Sequence, residues 1–477
     1  MIMDKQEFRK RAHQVVDWMA DYMEQKAHYR VTPEVQPGDI FGQLPNQAPE
    51  QPESFDDIFE DFKEVILPGM THWQHPAFFG YFPANNSEPS ILAEMLMSTL
   101  GAQCMSWLTS PAATELEEKV INWLRDAKGL DASWKGVIQD TASTATLCAL
   151  LAARERASGF SINAEGFSGQ ENYRVYSSEH AHSSVDKATR IAGLGLANLV
   201  KIPVDEDFKM LPEALEEAIL ADLENGFTPI CVVSALGTTS SGAIDPIEAI
   251  GKIAHRHSLW HHIDAAYAGT ALLLPEFRWM IKGHELADSY VFNPHKWMFT
   301  NFDCSVLFIK NAEAFIHTFS MTPEYLKTTQ DDHVHNYRDW GIQLGRRFRA
   351  LKLWMVIRSF GLEGIREKLR HHLALTKMAK KRVEIEDNLI IEAPTDLNVI
   401  CFRFVEKSLS TTVLNALNQA WLQRVNQTGR VFFTHTVLDG KYVIRWVIGQ
   451  TDVLQEHIDL AWTVLMEELE KVKAALL

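Results

Sequence analysis

Val291-Phe292-Asn293-Pro294-His295-Lys296-Trp297 places a lysine just beyond the predicted end of a buried β-strand. The strand is expected to stop at Pro294, because proline has no N–H group to donate to a sheet. Burial disfavours the charged form of a lysine at such a position, which leaves Lys296 a neutral amine able to form a Schiff base with a carbonyl compound. A surface lysine that follows a strand is the alternative, so the hypothesis depends on partners elsewhere in the chain.

Strands and helices alternate along the chain from about Asn85. Repeated strand–helix–strand units predict an α/β fold with a mainly parallel sheet that is covered on both faces. In such sheets ligands bind at the carboxyl ends of the strands, where Lys296 is expected to lie. The predicted strands are 137–139, 174–178, 230–235, 259–263, 289–292 and 305–309.

The chain divides into three predicted parts. Residues 1–85, which include an amphipathic helix over 8–23 and a polar Pro- and Gln-rich segment, are expected to form an arm that wraps a partner subunit. Residues 86–360 form the predicted large domain, with a long helix expected from about 344 to 370 at its end. Residues 361–477 form a predicted small C-terminal α/β domain, with strands near 399–405, 430–434 and 442–448.

Composition and charge exclude several classes of function. The 477 residues carry a net charge of −16 and contain no block of basic residues, so nucleic acid is not expected as a partner. The most apolar run, 145–153, is shorter than the roughly 18 residues that a membrane span requires, and the N-terminus lacks the apolar core of a signal peptide. The five cysteines are odd in number and lie in apolar surroundings, which predicts reduced thiols in a cytoplasmic protein.

Polar residues follow several of the predicted strands, and together they suit one cofactor. A pyridine aldehyde needs a lysine for an imine, a carboxylate to keep its ring nitrogen protonated, a flat group over the ring and donors for a phosphate. Asp264 supplies the carboxylate, because its charge raises the pKa of a nearby ring nitrogen, and Ala266 leaves room for the ring. The other candidates are His182 for the flat group and Ala142, Ser143, Asn293 and His295 for the phosphate.

Each of these residues also has a simpler explanation. Asp264 is suitable as a helix cap, His182 as a hydrogen-bonded core histidine and Ser143 as a helix N-cap. Their joint occurrence at successive strand ends before Lys296 favours the cofactor site.

Three motifs and their order along the chain point to a known family. Ala181-His182-Ser183-Ser184, Asp264-Ala265-Ala266-Tyr267-Ala268-Gly269 and Asn293-Pro294-His295-Lys296-Trp297 closely resemble the pyridoxal-phosphate-dependent group II decarboxylases, specifically the aromatic L-amino acid decarboxylases. The resemblance spans nearly the whole chain, with further matches at 71–73, 81–83, 110–117 and 344–349. It implies a fold-type-I enzyme with a seven-stranded sheet, pyridoxal 5'-phosphate (PLP) as cofactor, and an obligate homodimer with its sites between subunits.

The resemblance implies roles that agree with the chemistry of the residues. Lys296 would bond to the cofactor, Asp264 would pair with the pyridine nitrogen, and His182 would stack on the ring. Thr239 would lie near the cofactor and the lysine. The phosphate would be held by Ala142, Ser143, Asn293 and His295.

Tyr325 precedes a polar segment, 328–335, that is predicted to be a mobile loop. The resemblance implies that Tyr325 closes over the neighbouring subunit's site and protonates the substrate's Cα after carbon dioxide leaves; an anchoring aromatic in a loop is the alternative. Relatives that produce aldehydes resemble this chain but carry phenylalanine in place of Tyr325 or lack a histidine at His182. Both residues are present here, which favours simple decarboxylation.

The substrate pocket is predicted from an aromatic run and from positions across the dimer. The run from Trp73 to Phe82 is interpreted as a pocket wall or a subunit interface, with core packing as an equal alternative. Ala84, Gln103 and Met105 depart from the family's usual residues. Gly345 resembles the glycine of members that accept an indole, but it does not exclude tyrosine or dopa. The predicted substrate residues are Trp73, Tyr81, Phe82, Pro83, Gln103, Met105 and Gly345.

Three alternatives remain. An aminotransferase would need an arginine to grip the substrate carboxylate, for which Arg445 is the candidate in the small domain. A decarboxylase of another amino-acid class would share the cofactor residues, and an inactive dimer that binds a partner through its acidic surface would not need them. A metal site at His255-Arg256-His257 and His261-His262 is rejected, because no acidic or cysteine ligand completes it.

Overall fold

A computed structural model of the chain describes residues 3–169, 171–321 and 334–476. The predicted α/β class is confirmed, because a mixed sheet of seven strands and a separate antiparallel sheet of four strands account for the β-structure of the described residues. None of the described helices is long and apolar enough to cross a lipid bilayer.

The large sheet carries the strand ends at which ligands were expected. Its strands are β1 (Lys135–Gln139), β2 (Tyr173–Ser178), β3 (Leu199–Ile202), β4 (Thr228–Ala235), β5 (Trp260–Asp264), β6 (Ser289–Phe292) and β7 (Ser305–Ile309). They lie in the order β1-β7-β6-β5-β4-β2-β3, and β7 is antiparallel to both of its neighbours. The four consecutive neighbours β6, β5, β4 and β2 are parallel, so their carboxyl ends share one edge.

Fifteen α-helices surround the two sheets in the described part of the chain. They are α1 (Lys5–Gln25), α2 (Asp39–Gln43), α3 (Phe55–Asp61), α4 (Glu88–Leu100), α5 (Pro111–Lys128), α6 (Ala142–Ser158), α7 (Ser161–Glu165), α8 (Ser184–Ile191), α9 (Pro212–Glu224), α10 (Ile247–Arg256), α11 (Pro294–Trp297), α12 (Ala312–Phe319), α13 (Arg349–Ile385), α14 (Thr411–Gln427) and α15 (Gln455–Leu476).

Helix α6 packs at the centre of the large sheet because its residues are small. Ala145, Cys148 and Ala149 are fully buried, and the helix contacts β4, β5, β6 and β7. Small side chains let a helix approach a sheet closely, so the N-terminus of α6 lies beside the carboxyl ends of the central strands.

The small sheet comprises β8 (Leu389–Ile391), β9 (Val399–Phe404), β10 (Thr434–Leu438) and β11 (Lys441–Val447), in the order β10-β11-β9-β8. The strand predicted over 430–434 is wrong. Phe432 instead pairs with the N-terminal segment, because its N–H donates to Ala77 and its carbonyl accepts from Phe79. Asp439-Gly440, both at positive φ, forms the two-residue hairpin turn that sets the true limits of β10 and β11.

The long helix also differs from the sequence expectation. It begins at Arg349 rather than near residue 344 and continues to Ile385, with a break at Gly361 where φ is 64°. The predicted boundary between the large and small domains therefore coincides with a kink in this helix. Glycine suits the break because a positive φ strains other residues.

The N-terminal segment packs partly on the small sheet of its own chain. Val31, Phe78 and Phe79 belong to the same buried cluster as residues of β9 and β11, and the N–H of Val31 donates to the carbonyl of Gly429. In contrast, α1 buries none of its residues in the single chain. The wrapping of this arm around a partner remains a prediction.

Candidate active site

A cavity of about 260 Å³ lies where the central strands of the large sheet end. Strand ends from β4, β5 and β6 meet the N-termini of α6 and α8 there, as the topology of a parallel sheet requires. The cavity brings together ten of the predicted residues, namely Phe82, Ala142, Ser143, His182, Thr239, Asp264, Ala266, Asn293, His295 and Lys296.

Lys296 projects into the cavity from α11, a single helical turn that follows β6 directly. Its N–H donates to the carbonyl of Asn293 (3.0 Å), and its Nζ lies 5.1 Å from the centre of the Phe82 ring. Burial lowers the pKa of Lys296; the carboxylate of Asp264 acts in the opposite direction, and the charge of Arg445 lowers it further. The amine is therefore easier to deprotonate than that of an exposed lysine, as predicted for covalent chemistry.

Asp264 is the last residue of β5, and 9% of its surface is exposed. Its Oδ1 accepts a hydrogen bond from the N–H of Ala266 at 3.0 Å. This bond fixes the carboxylate at the strand end, so its negative charge faces the cavity that Lys296 enters from the neighbouring strand.

His182 follows β2 and lines the same cavity. Its Nδ1 accepts a hydrogen bond from the N–H of Ser184 at 3.1 Å, and the Ser184 hydroxyl lies 2.9 Å away. A backbone N–H can only donate, so Nδ1 carries no proton and the neutral ring is protonated at Nε2. Burial lowers the pKa of His182. The ring is thus a neutral, flat surface with one N–H to donate.

Several hydrogen-bond donors also line the cavity. Thr141 caps α6 by accepting from the N–H of Thr144 (3.4 Å), and Ala142 and Ser143 occupy the first turn, whose N–H groups have no partner within a helix. Such a helix start binds anions. The Oδ1 of Asn293 accepts from the Ser305 hydroxyl at 2.7 Å, which leaves its amide N–H groups available.

His295 adds a further donor to the cavity lining. Its Nδ1 accepts from the N–H of Cys304 at 2.9 Å, so the proton of the neutral ring lies on Nε2. Burial lowers the pKa of His295 to about 3, and the nearby Lys296 contributes in the same direction. A carboxylate, an amine and several anion donors that line one cavity fit a flat, cationic ring that carries a phosphate.

Only Phe82 of the seven predicted substrate residues lines this cavity. Its ring stacks on Tyr267, with centroids 3.8 Å apart and planes 12° apart. Trp73 and Tyr81 stack on each other nearby, at 5.5 Å, and Tyr81 is 51% exposed. Pro83 is buried beside Phe82. Within the aromatic run, Phe82 therefore forms part of the cavity wall, whereas Phe78 and Phe79 are buried in the core.

The other substrate candidates lie apart from the cofactor cavity in the single chain. Gln103 and Gly345 line a separate groove of about 390 Å³ with residues of α4 and the segment before α13. The carbonyl of Met105 accepts from the N–H of Arg338 at 2.8 Å. Tyr325 and most of the predicted loop lie outside the described residues.

Several cavity residues had no role in the sequence prediction. Thr141, Ser184, Gly237, Thr238, Tyr267 and Phe302 also line it. The rule that ligands bind where parallel strands end would have found Gly237 and Thr238, which follow β4 directly. Phe302 had no comparable signal, because it reaches the cavity from the loop between α11 and β7.

Arg445 approaches the cavity from β11. Its guanidinium lies 5.4 Å from the centre of the Phe82 ring, donates from Nε to the carbonyl of Ser240 (3.2 Å) and from Nη1 to the hydroxyl of Thr434 (3.0 Å). Its Nη2 is buried and has no hydrogen-bond partner in the structure, so part of the guanidinium remains available. The histidines at 261 and 262 are buried in β5, and no three potential metal ligands cluster among the described residues.

Comparison with known proteins identifies the family. The model of the pyridoxal-dependent decarboxylase conserved domain matches residues 37–405. Phenylacetaldehyde synthase of Arabidopsis thaliana is 41% identical over 476 residues, which cover 98% of this chain and 96% of that protein. Tyrosine decarboxylase 2 of Narcissus pseudonarcissus is 40% identical over 476 residues, which cover 98% of this chain and 94% of that protein.

The fold is also that of a solved relative. The crystal structure of Oryza sativa TDC with PLP and tryptamine gives a TM-score of 0.96 at 33% identity and covers 99% of both chains. The chain therefore belongs to the pyridoxal-dependent decarboxylase family, as its motifs indicated, and is a PLP-dependent enzyme of the group II class.

Proposed function

We propose that the enzyme decarboxylates aromatic L-amino acids to the corresponding amines and carbon dioxide. The observation that carries this proposal is the cavity that joins Lys296, Asp264 and His182 to the N-terminus of α6. The substrate class is supported by two relatives that are named for aromatic compounds and whose alignments cover nearly the whole chain.

When bound, PLP supplies an electron sink for the electron pair left behind as carbon dioxide departs. Lys296 would hold the cofactor covalently through its readily deprotonated amine. Asp264 would hold a proton on the ring nitrogen, because a carboxylate within hydrogen-bond distance raises that nitrogen's pKa. His182 would lie against the ring face without adding charge.

Ala142, Ser143, Asn293 and His295 would bind the phosphate with N–H and hydroxyl donors. Thr239 and Ala266, which also line the cavity, would contact the cofactor beside Lys296. Because His295 is neutral, the attraction for the phosphate comes from directed hydrogen bonds and from the dipole of α6 rather than from a full positive charge.

Protonation at the substrate's Cα decides between an amine and an aldehyde. We assign this proton to Tyr325, on the strength of its presence in the sequence beside an intact His182. An aldehyde synthase is the second candidate, because the chain is 41% identical to phenylacetaldehyde synthase of Arabidopsis thaliana. An aminotransferase is less favoured, because tyrosine decarboxylase 2 of Narcissus pseudonarcissus matches nearly the whole chain.

The proposal includes a homodimer whose sites lie between subunits. Helix α4 exposes Leu92 (53%), Leu96 (50%) and Leu100 (64%), which share one face at a spacing of one helical turn. Phe302, which lines the cavity, is 58% exposed in the single chain. A second copy would cover these apolar surfaces and bring Gln103, Met105 and Gly345 to its partner's cavity.

The substrate ring is proposed to lie against Phe82, with Trp73, Tyr81 and Pro83 on the outer side. Gly345 adds no bulk, so the proposed pocket admits an indole as well as a phenol or catechol. The five buried free cysteines support the predicted cytoplasmic location.

Product release from a panel of substrates tests this proposal. The purified enzyme with PLP is supplied with tryptophan, tyrosine, dopa, phenylalanine, histidine and glutamate, and carbon dioxide, amine and aldehyde are measured. We expect equal amounts of amine and carbon dioxide from one or more aromatic substrates. Activity confined to glutamate would contradict the aromatic pocket, and aldehyde as the main product would contradict the role of Tyr325.

A further inference from the structure

A buried series of hydrogen bonds lies between the large sheet and α6, on the face of β5 that carries Asp264. The indole Nε1 of Trp260 donates to the Ser289 hydroxyl at 2.7 Å, and this hydroxyl lies 2.8 Å from Nδ1 of His262. On its other side, Nε2 of His262 lies 3.4 Å from the Thr146 hydroxyl. All four side chains are at most 1% exposed, so water does not compete for these bonds.

The chemistry of the four groups fixes which one donates in each hydrogen bond. Since an indole N–H can only donate, the Ser289 hydroxyl accepts from Trp260 and directs its own hydrogen to Nδ1 of His262. Burial lowers the pKa of His262 to about 4, so its ring is neutral near pH 7 and carries its proton on Nε2. His262 therefore donates to Thr146, so the first two bonds run between β5 and β6 and the last one leads to α6.

These hydrogen bonds connect the strand and the helix that carry two parts of the proposed cofactor site, the carboxylate and the phosphate donors. His262 lies on β5 two residues before Asp264, on the same face of the strand, and pairs in register with Ser289 of β6. Thr146 lies one turn beyond Ala142 in α6. A bond between His262 and Thr146 thus links the strand of the carboxylate to the helix of the phosphate donors.

We propose that His262 is a positioning residue, which sets the separation between the Asp264 carboxylate and the phosphate-binding start of α6. The proposal rests on the proposed roles of Asp264 and α6. A rigid cofactor must reach both groups at once, so a shift of α6 relative to β5 weakens its binding even when every contacting residue is intact.

The neighbouring histidine provides a matched control. His261 is fully buried on the opposite face of β5, and its Nε2 lies 2.7 Å from the Ser234 hydroxyl on β4. This bond connects two strands and does not involve α6. Thr146→Val and Ser234→Ala each remove one buried hydroxyl that bonds a β5 histidine, but only the first breaks the link to the helix.

Titration of each apoprotein with PLP, followed by the visible absorbance and by thermal melting, tests the proposal. We expect Thr146→Val to weaken PLP binding about tenfold, the worth of one buried hydrogen bond. The PLP affinity of Ser234→Ala is expected to stay within about twofold of that of the wild type, although its melting temperature should fall by about as much as that of Thr146→Val. His262→Gln, which keeps a donor toward Thr146, should bind PLP more tightly than His262→Phe.

Equal effects of Thr146→Val and Ser234→Ala on PLP binding would overturn the positioning role. Asp264→Asn and Ser143→Ala serve as references for the site itself. If both of these weaken binding while Thr146→Val does not, the cofactor site stands and the role of His262 is wrong. If neither weakens binding, the proposed site fails, and the inference fails with it.

Discussion

The cofactor cavity and the groove at Gly345 differ in how far one chain completes them. Lys296 and Asp264 lie in a buried cavity that parallel strands assemble from a single subunit. Gln103 and Gly345 are exposed in the groove beside α4, whose leucines face outward. The parallel sheet thus assembles the proposed cofactor cavity within one subunit, whereas the substrate side has the apolar surface of an interface that a second copy is proposed to cover.

The largest effect is expected from the cofactor cavity. Lys296→Ala should abolish the visible absorbance of the bound cofactor and reduce decarboxylation by about 1,000-fold or more, because the covalent attachment and the amine are both lost. Absorption spectra and carbon dioxide release measure this. Lys310→Ala is the control, since Lys310 also follows a strand but at the opposite edge of the sheet. Retention of the absorbance by Lys296→Ala would contradict the assignment.

Disruption of the proposed interface should separate cofactor binding from catalysis. Leu96→Asp puts a charge on the exposed face of α4 and is expected to produce monomers that keep PLP but lose activity about tenfold or more. Light scattering and activity at matched concentrations measure this. Leu220→Asp is the control, because Leu220 on α9 is equally exposed (48%). A dimer unaffected by Leu96→Asp would place the interface elsewhere.

Buried histidines predict a stability that depends on pH. Burial lowers the pKa of His261 to about 3 and of His262 to about 4, whereas an unfolded histidine titrates near about 6.5. Below that pH the unfolded chain binds more protons, so the free energy of unfolding falls as the pH drops from about 6.5 toward 4, by at most about 1.4 kcal/mol per pH unit for each histidine. Urea denaturation at several pH values measures this slope.

The matched variant for this prediction is His261→Gln. It removes one titrating ring from the sheet while it leaves the cavity unchanged, so its unfolding free energy should fall less steeply with acid. A stability of the wild type that is flat between pH 6.5 and 5 would contradict the buried, neutral state of these rings.

The smallest effect is expected in the groove. A side chain at Gly345 would place its Cβ 3.2 Å from Nε2 of Gln103, so Gly345→Ser should push the Gln103 amide aside. We expect a change of about threefold to tenfold in the ratio of kcat/KM for tryptophan over tyrosine, in favour of the smaller ring. An unchanged ratio would remove this groove from the substrate site.

The cofactor half was predictable from the sequence because its residues follow strands of a recognisable parallel sheet. The pattern placed Lys296, Asp264 and His182 at the ends of β6, β5 and β2, where the structure brings them to one cavity. The short strands β3 and β8 were missed, since four and three residues carry little periodicity.

The errors arose where contacts distant in sequence override local pattern. The apolar residues near Phe432 predicted a strand over 430–434, but Phe432 packs against Phe78 from the N-terminal segment instead. Asp439-Gly440 was the available signal for the correct hairpin. No local signal pairs Phe78 with Phe432, because only the folded chain brings these segments together.

Mixing of two variants that each release almost no amine tests the central claim, that each site needs both subunits, most directly. Lys296→Ala and Tyr325→Phe chains, each expected to release almost no amine alone, are unfolded together and refolded or co-expressed, and amine release is measured. We expect about a quarter of the wild-type activity, because half of the dimers are mixed and one of their two sites has both residues intact. Amine release no higher than the sum of the separate variants would contradict the shared site.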